Sequence, residues 1–417
     1  MHNLTSLQID QPTLQHQIDQ LATFSDSRPP AVTRILFSEQ DLMARKFLKD
    51  LFLETHLSIR EDGAGNIFAR WDGLDATLAP VATGSHIDAI PNAGRYDGTV
   101  GVLGGLEAIR ALSRAGLQPV RSIELIVFTS EEPTRFGIGC LGSRMMSGTI
   151  SLEAVGKLTD HEGKSFEQLR HRAGCGEQPL QSIRVSHGRY SAFLELHIEQ
   201  GPLLEKEDIP IGIVTSIAAP STLRMELTGV GGHAGAVLMP ERHDALLAGA
   251  EIALLVEQSA LNEGGPDTVA TTGIFRVEPG AVNSIPSKAW LEVDLRDTDA
   301  AVRDRVLAKI EKEAREICRR RGIECVLQLL NADSPAVCDS KLVSTVAEVC
   351  ESLGISHRKM ISRAYHDSLF MSRICPAAMI FIPCRNGVSH RPDEYTSPEQ
   401  IAKGVEVLAH TLARLSC

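Results

Sequence analysis

The sequence predicts an α/β protein built on a mostly parallel sheet, interrupted by a smaller α+β domain of ferredoxin-like pattern. Three observations carry this expectation. Apolar stretches such as "PVATGS", "SIELIVFTS" and "AAMIFIPC" alternate with helical ones, the pattern of buried parallel strands joined by crossover helices. From about residue 217 the strands instead alternate with period two, as in "STLRMELTG" and "KAWLEVDLRD", and two long amphipathic helices separate them. That β-α-β-β-α-β order is the ferredoxin-like unit. The α/β pattern then resumes. A discontinuous domain over residues 1–216 and 332–417, with 217–331 inserted, is therefore expected, and a chain of 417 residues is long enough for two cores.

Taken in order, the first fifty residues read as helices. In "FSEQDLMARKFLKDLF", Ser38 is an N-cap candidate with Asp41 three residues on, and Leu42, Phe47, Leu48, Leu51 and Phe52 share a face. "TVGVLGGLEAIRALSRAG" reads as a helix with Gly101, Gly104 and Gly105 on its buried side. "SIELIVFTS" reads as an apolar strand, and the alternation of "AFLELHIEQ" fits a half-exposed one. "SDSRPP" and "EGGPD" are loops.

Composition narrows the partners. A net charge of −11 argues against binding nucleic acid or anionic membranes. No apolar run reaches the ~18 residues of a membrane span. The start "MHNLTSLQIDQPTLQHQIDQ" lacks the basic end and apolar centre of a secretory signal. The nine cysteines are scattered and never spaced C-x-x-C, which fits reduced thiols in the cytoplasm. Any metal must then be held by His and carboxylate.

Four strand-like stretches deliver such groups. "PVATGS" runs into His86, Asp88 and Asp97, and "SIELIVFTS" into Glu131 and Glu132. His197 lies near the end of "AFLELHIEQ", and His390 follows "AAMIFIPC". Each piece alone has a plain reading: a satisfied His–Asp pair, an Asp-Gly turn, solvated surface charge, a loop His. Together they place N and O donors beyond the C-terminal ends of strands, where open α/β sheets bind ligands. A carboxylate is needed to bridge two cations, and Asp97 is assigned that role. His86 and His197 would complete one ion's shell, Glu132 and His390 the other's. Asp88 would orient His86 from behind. A mixed N/O shell suits Mn²⁺, Zn²⁺ or Co²⁺. Glu131 is left as the base that takes a proton from water and returns it to a leaving amine. No G-x-S-x-G, H-E-x-x-H or P-loop offers a competing template.

At "GSHIDAIPNAGRYDG", "SEEPTRFGIGCLGSR", "LELHIEQGP", "GVGGHAG", "GAVNSIP", "DLRD" and "GVSH" the chain resembles the di-metal amidase/hydantoinase-carbamoylase family of the aminoacylase and carboxypeptidase G2 clan. The match runs from about residue 30 to the C-terminus. The resemblance implies a metal-binding catalytic domain, an inserted dimerisation or lid domain, and a homodimer. It implies the same metal ligands and Glu131 as acid/base. It adds His233 as a catalytic group and Asn283 as a substrate group that reach the partner subunit's site, Gln200 and Arg296 as holders of the substrate's ends, and His366 near the substrate.

Within the family, "SRAYHDSLFM" and "EEPTRF" are more similar to ureidoglycolate amidohydrolases than to N-carbamoyl-L-amino-acid or allantoate amidohydrolases. The implied activity is hydrolysis of a linear ureido C–N bond in a small carboxylate substrate, ureidoglycolate first, giving glyoxylate, ammonia and CO₂. The alternatives are N-carbamoyl-L-amino acids or allantoate. A non-enzymatic binding module would have lost a ligand or the base, and none is missing.

Overall fold

The computed structural model describes residues 7–417; residues 1–6, where the polar N-terminal stretch begins, lie outside the described residues. The backbone divides into two compact units. One comprises the chain up to Thr215 with Val337–Met360 and His366–Cys417, and the other Ser216–Ala336 with Ile361–Tyr365.

The first unit is organised on a mixed sheet of nine strands among the described residues. At its centre Ala377–Ile382, Ala192–Ile198, Val81–His86 and Ile123–Phe128 lie side by side in that order. These four are parallel and buried along their whole length. Ile67–Trp71 and Ser58–Glu61 continue the sheet antiparallel on one side, and Ile211–Ile217 pairs antiparallel with Ala377–Ile382 on the other. Ser58–Glu61 and Ile67–Trp71 are joined by a short turn, which only antiparallel strands can use, whereas parallel neighbours need a crossover.

Burial corrects the reading of "AFLELHIEQ". The strand Ala192–Ile198 is covered on both faces rather than half-exposed. Its alternation separates two buried environments. The Leu196 side chain reaches Gly104 and Gly404 on the helices Thr99–Arg114 and Pro398–Ser416, so Glu195 and His197 project to the opposite face. Nor is "SIELIVFTS" wholly apolar: buried Glu124 accepts the Tyr190 hydroxyl at 2.5 Å and Arg60 Nη2 at 3.2 Å, which satisfies a charge that burial would otherwise penalise.

Near the N-terminus the helices Gln11–Ala22 and Glu39–Glu54 flank a short strand, Val32–Arg34, that pairs with Ala89–Ala93. Ser38 caps the second helix by accepting the Asp41 N–H at 3.2 Å. Asp41 itself accepts the Phe37 N–H and Arg45 Nε, each at 2.8 Å. This buried ion pair takes the centre of the helix face, so Leu48, Leu51 and Phe52 are buried while Leu42 and Phe47 are only partly so. The helix Thr99–Arg114 has no solvent side over its first three turns: every residue from Thr99 to Ile109 is buried.

The second unit runs strand Ala219–Thr228, helix Ala245–Glu263, strands Val269–Glu278 and Lys288–Asp297, helix Ala300–Arg321 and strand Glu324–Ala332. All pairings are antiparallel, in the spatial order Val269–Glu278, Lys288–Asp297, Ala219–Thr228, Glu324–Ala332. One face packs Leu223, Met225, Leu291 and Val293 against Ile252, Val256, Val306 and Ile310 of the helices. Asp244 and Asp299 cap the two helices with their side chains. Among the described residues no helix is long and apolar enough to cross a membrane.

Candidate metal centre

The four parallel strands end together, and each hands over polar groups at its C-terminal end. His86 closes Val81–His86, in register with Phe128, the last residue of Ile123–Phe128. Glu131 and Glu132 follow that second strand directly. His197 is the penultimate residue of Ala192–Ile198, in register with Phe381 of Ala377–Ile382. His390 stands in the loop after Ile382. Ser130, Gln200 and His390 all take left-handed backbone conformations, which non-glycine residues adopt at some cost and which cluster where side chains are aimed at a site.

Asp97 is the hub. Its Oδ1 lies 3.2 Å from His197 Nε2 and 3.5 Å from His86 Nε2. Its Oδ2 lies 3.3 Å from His390 Nε2, which is itself 3.1 Å from Glu132 Oε1. The two oxygens thus face two separate donor groups, His86–Asp97–His197 and Asp97–Glu132–His390, whose ligand atoms lie within 4.8 Å of one another in each group. Gly98 makes this approach possible: it sits at φ 63°, and a Cβ there would lie 2.5 Å from His86 Nε2.

Tautomers are set from behind. His86 Nδ1 is 3.0 Å from the Asp88 carbonyl oxygen and His197 Nδ1 is 2.9 Å from that of Ile198, which makes Nε2 the unprotonated nitrogen of each ring; that of His197 accepts the Gly98 N–H at 3.1 Å. Asp88 therefore contacts His86 mainly through its backbone. Its carboxylate, 3.6 Å from Nδ1, accepts the peptide N–H groups of Glu131 at 3.2 Å and Glu132 at 3.0 Å. This differs from a simple His–carboxylate pair, because the two amides of the Glu-Glu loop compete for the same oxygens.

The electrostatics are those of a crowded, dry carboxylate cluster. Burial lifts the Glu131 carboxyl well above the usual range, and Glu132, Asp367 and Asp88 reinforce the shift against His86. Burial also raises Glu132. Burial opposes the Asp97 anion, yet His197, His390 and His86 hold its pKa well below the ordinary value. Asp97 and Glu132 raise the His390 imidazole to about 11. For Asp88, Asp97, Glu131 and Glu132 the only cationic groups within ion-pair reach among the described residues are imidazoles. Buried carboxylates in that excess call for cations. The donor set, three imidazoles with Asp97 and Glu132, fits divalent N/O-loving ions.

The remaining expected residues fall into three places. Gln200 gives its Nε2 to Asp97 Oδ2 at 2.6 Å, and its buried Oε1 has no partner among the described residues. His366 is buried with its ring edge-on to His197, centroids 4.6 Å apart. The others lie in the second unit. His233 and Asn283 are exposed neighbours on the pairing of Gly232–His233 with Ser284–Ile285, and the Asn283 carbonyl accepts the Ala234 N–H at 2.9 Å. Arg296 makes a two-pronged contact with Asp294 at 2.7 and 3.0 Å.

Sequence reasoning missed several groups. Glu195, fully buried, accepts Ser85 Oγ at 2.7 Å and Ser368 Oγ at 2.6 Å. Cys140 places its Sγ 3.5 Å from Glu131 Oε1. Glu394 and Ser389 contact Asp97. Only Glu195 had a legible signal, two residues before His197 and hence on the same strand face.

Comparison with known proteins places the whole chain among named relatives. The chain is 53% identical to "Ureidoglycolate hydrolase" of Arabidopsis thaliana over 99% of its own length and 88% of that protein. It is 35% identical to "N-carbamoyl-L-amino-acid amidohydrolase" of a Pseudomonas strain, over 99% of this chain and all of that one (100%). A crystal structure of AtUAH in complex with glyoxylate superposes with a TM-score of 0.93 at 53% identity, covering 99% of each chain; a complex of AtUAH with (S)-hydroxyglycine superposes equally well. Homologues are thus amidohydrolases of ureido and carbamoyl C–N bonds. The profile of "Peptidase family M20/M25/M40", a metal-dependent family, matches residues 82–414, and the chain belongs to that family.

Proposed function

We propose that the protein is a di-metal amidohydrolase that cleaves the ureido C–N bond of ureidoglycolate, giving glyoxylate, ammonia and CO₂. The observation that carries this reading is Asp97, whose two oxygens face separate imidazole groups, in a chain that is 53% identical to a ureidoglycolate hydrolase over nearly its whole length.

In this reading His86, His197 and Asp97 hold one divalent ion, and Asp97, Glu132 and His390 the other, with Mn²⁺, Zn²⁺ or Co²⁺ all compatible with the donors. Such ions, when bound, acidify water and polarise a carbonyl oxygen. Glu131 takes the proton from the attacking water, a role suited by the upward push that burial gives its pKa. It returns that proton to the departing nitrogen, which leaves as hydroxyglycine; the carbamate falls apart to ammonia and CO₂, and hydroxyglycine loses a second ammonia to give glyoxylate. The unpartnered Gln200 Oε1 accepts a ureido N–H, while Arg296 exchanges Asp294 for the substrate carboxylate in the same two-pronged geometry. His366 lies beside the substrate, and His233 and Asn283 would reach the site of the partner subunit.

The second unit serves as a dimerisation and lid domain in a homodimer. Leu247, Leu254 and Leu261 recur every seven residues along the helix Ala245–Glu263 and are 43%, 60% and 78% exposed, an apolar stripe that a monomer would leave wet. All nine cysteines are free thiols, which suits the cytoplasm.

The test is ammonia release from ureidoglycolate by metal-stripped protein reloaded with Mn²⁺, with Glu131→Gln as control. Rapid release that is lost in the control supports the reading. Release only from N-carbamoyl-L-amino acids or allantoate would move the substrate assignment within the family.

A further inference from the structure

We propose that Glu394 is a positioning residue that locks the Asp97 carboxylate to the His390 loop in the mutual geometry a pair of divalent ions requires. The inference rests on the metal reading above. Glu394 is 5% exposed and lies in "HRPDE", just beyond His390. Its Oε1 accepts the peptide N–H groups of Tyr96 at 2.8 Å and Asp97 at 3.1 Å. Its Oε2 lies 2.8 Å from Ser389 Oγ, and that hydroxyl is 2.7 Å from Asp97 Oδ2. One carboxylate therefore grips Asp97 twice, by its backbone and, through Ser389, by its side chain. Ser389 directly precedes His390, whose Nε2 faces the same Asp97 oxygen at 3.3 Å.

The surroundings are shaped for this brace. A Cβ on Gly94 would lie 2.3 Å from both Cβ and Oε1 of Glu394, so only glycine leaves the carboxylate room. The Tyr96 and Tyr395 rings meet edge to face at 6.0 Å and clamp the same two loops. Glu394 has no Lys, Arg or His within ion-pair distance among the described residues, since none of the ion pairs involves it. Its oxygens are spent on positioning donors instead.

Proton counting sharpens the proposal. The Ser389 hydroxyl has one proton but stands between two carboxylate oxygens, so it donates fully to only one of them. A glutamine at position 394 keeps the shape and removes that competition. Its Oε1 accepts both peptide N–H groups, its Nε2 donates to Ser389, and Ser389 donates to Asp97. Alanine removes the acceptor and leaves two buried N–H groups unpaired. Aspartate is one methylene short.

The experiment is a calorimetric titration of the metal-stripped full chain with Mn²⁺, for wild type, Glu394→Gln, Glu394→Ala, Ser389→Ala and Asp97→Ala, with thermal melting of each stripped protein. Loss of an outer partner of a metal ligand typically weakens metal binding by about tenfold or more, so Glu394→Ala should lose at least that while Glu394→Gln stays within about threefold of wild type. Ser389→Ala should weaken binding in the same direction and decides the matter if Glu394→Ala does not fold. Wild-type affinity in both Glu394→Ala and Ser389→Ala overturns the proposal, as does a Glu394→Gln protein as weak as Glu394→Ala. Asp97→Ala separates the two readings: if it binds Mn²⁺ like wild type, the metal centre itself is misassigned, whatever the Glu394 variants do.

Discussion

The carboxylate of Asp88 accepts the peptide N–H of Glu132 at 3.0 Å and so ties the loop after one central strand to the loop after its neighbour. The other Asp88 oxygen takes the Glu131 N–H, while the Asp88 carbonyl holds His86 Nδ1. One residue thus sets a proposed ligand imidazole, a proposed ligand carboxylate and the proposed base. Asp88→Ala strands two buried amides and should lower kcat and Mn²⁺ affinity by roughly 10–100-fold. Asp88→Asn, which keeps one acceptor oxygen, should fall between. Steady-state kinetics with metal analysis on both variants checks this, and an active, metal-replete Asp88→Ala protein would contradict it.

Glu131→Gln removes the proposed proton acceptor, whose Oε2 lies 3.8 Å from His86 Nε2, without altering the proposed ligands. General acid–base catalysis contributes about 10²–10⁴-fold, so kcat should drop by that factor. KM and bound metal should stay near wild type. A loss of metal alongside activity would instead make Glu131 a ligand.

Removal of the ions should expose the repulsion among Asp88, Asp97, Glu131 and Glu132. Ligand present at a thousandfold excess over its Kd stabilises a fold by about 4 kcal/mol per site, so the melting temperature should fall on chelation and recover with added Mn²⁺. Identical melting curves with and without chelator would count against the centre.

The stripe of Leu247, Leu254 and Leu261 predicts the oligomer. The wild type should sediment as the proposed dimer and Leu254→Glu as a monomer in sedimentation equilibrium, because a charge cannot be buried at such a contact without a partner. Mn²⁺ content per chain should be unchanged, since the stripe and the proposed ligands belong to different units.

Arg45 and Asp41 form an ion pair with side chains 4% and 0% exposed, and Arg45 also donates to the Gly65 carbonyl at 2.6 Å. Arg45→Ala leaves Asp41 buried and uncompensated, which should cost about 3–5 kcal/mol in urea unfolding. A double change of both residues to apolar ones should recover much of that.

Much of this architecture was already legible in the chain. Strand–helix alternation announced the parallel centre, and period-two strands with two amphipathic helices announced the second unit, because local hydrophobic periodicity survives folding. Likewise His86, Asp97, Glu131, Glu132, His197 and His390 stood out because each follows or ends an apolar strand, and strand order brings C-terminal ends together. What the tertiary structure decided was everything that depends on distance across the sheet. Only there does Asp88 turn its carboxylate to the Glu131–Glu132 amides, Glu195 become a buried anchor for Ser85 and Ser368, and Glu394 reach Asp97 across 297 positions of chain. The physical reason is the same in each case. A hydrogen bond spans about 3 Å in space and is indifferent to separation in sequence, so a string of residues shows which groups reach an edge, and only packing shows which of them touch.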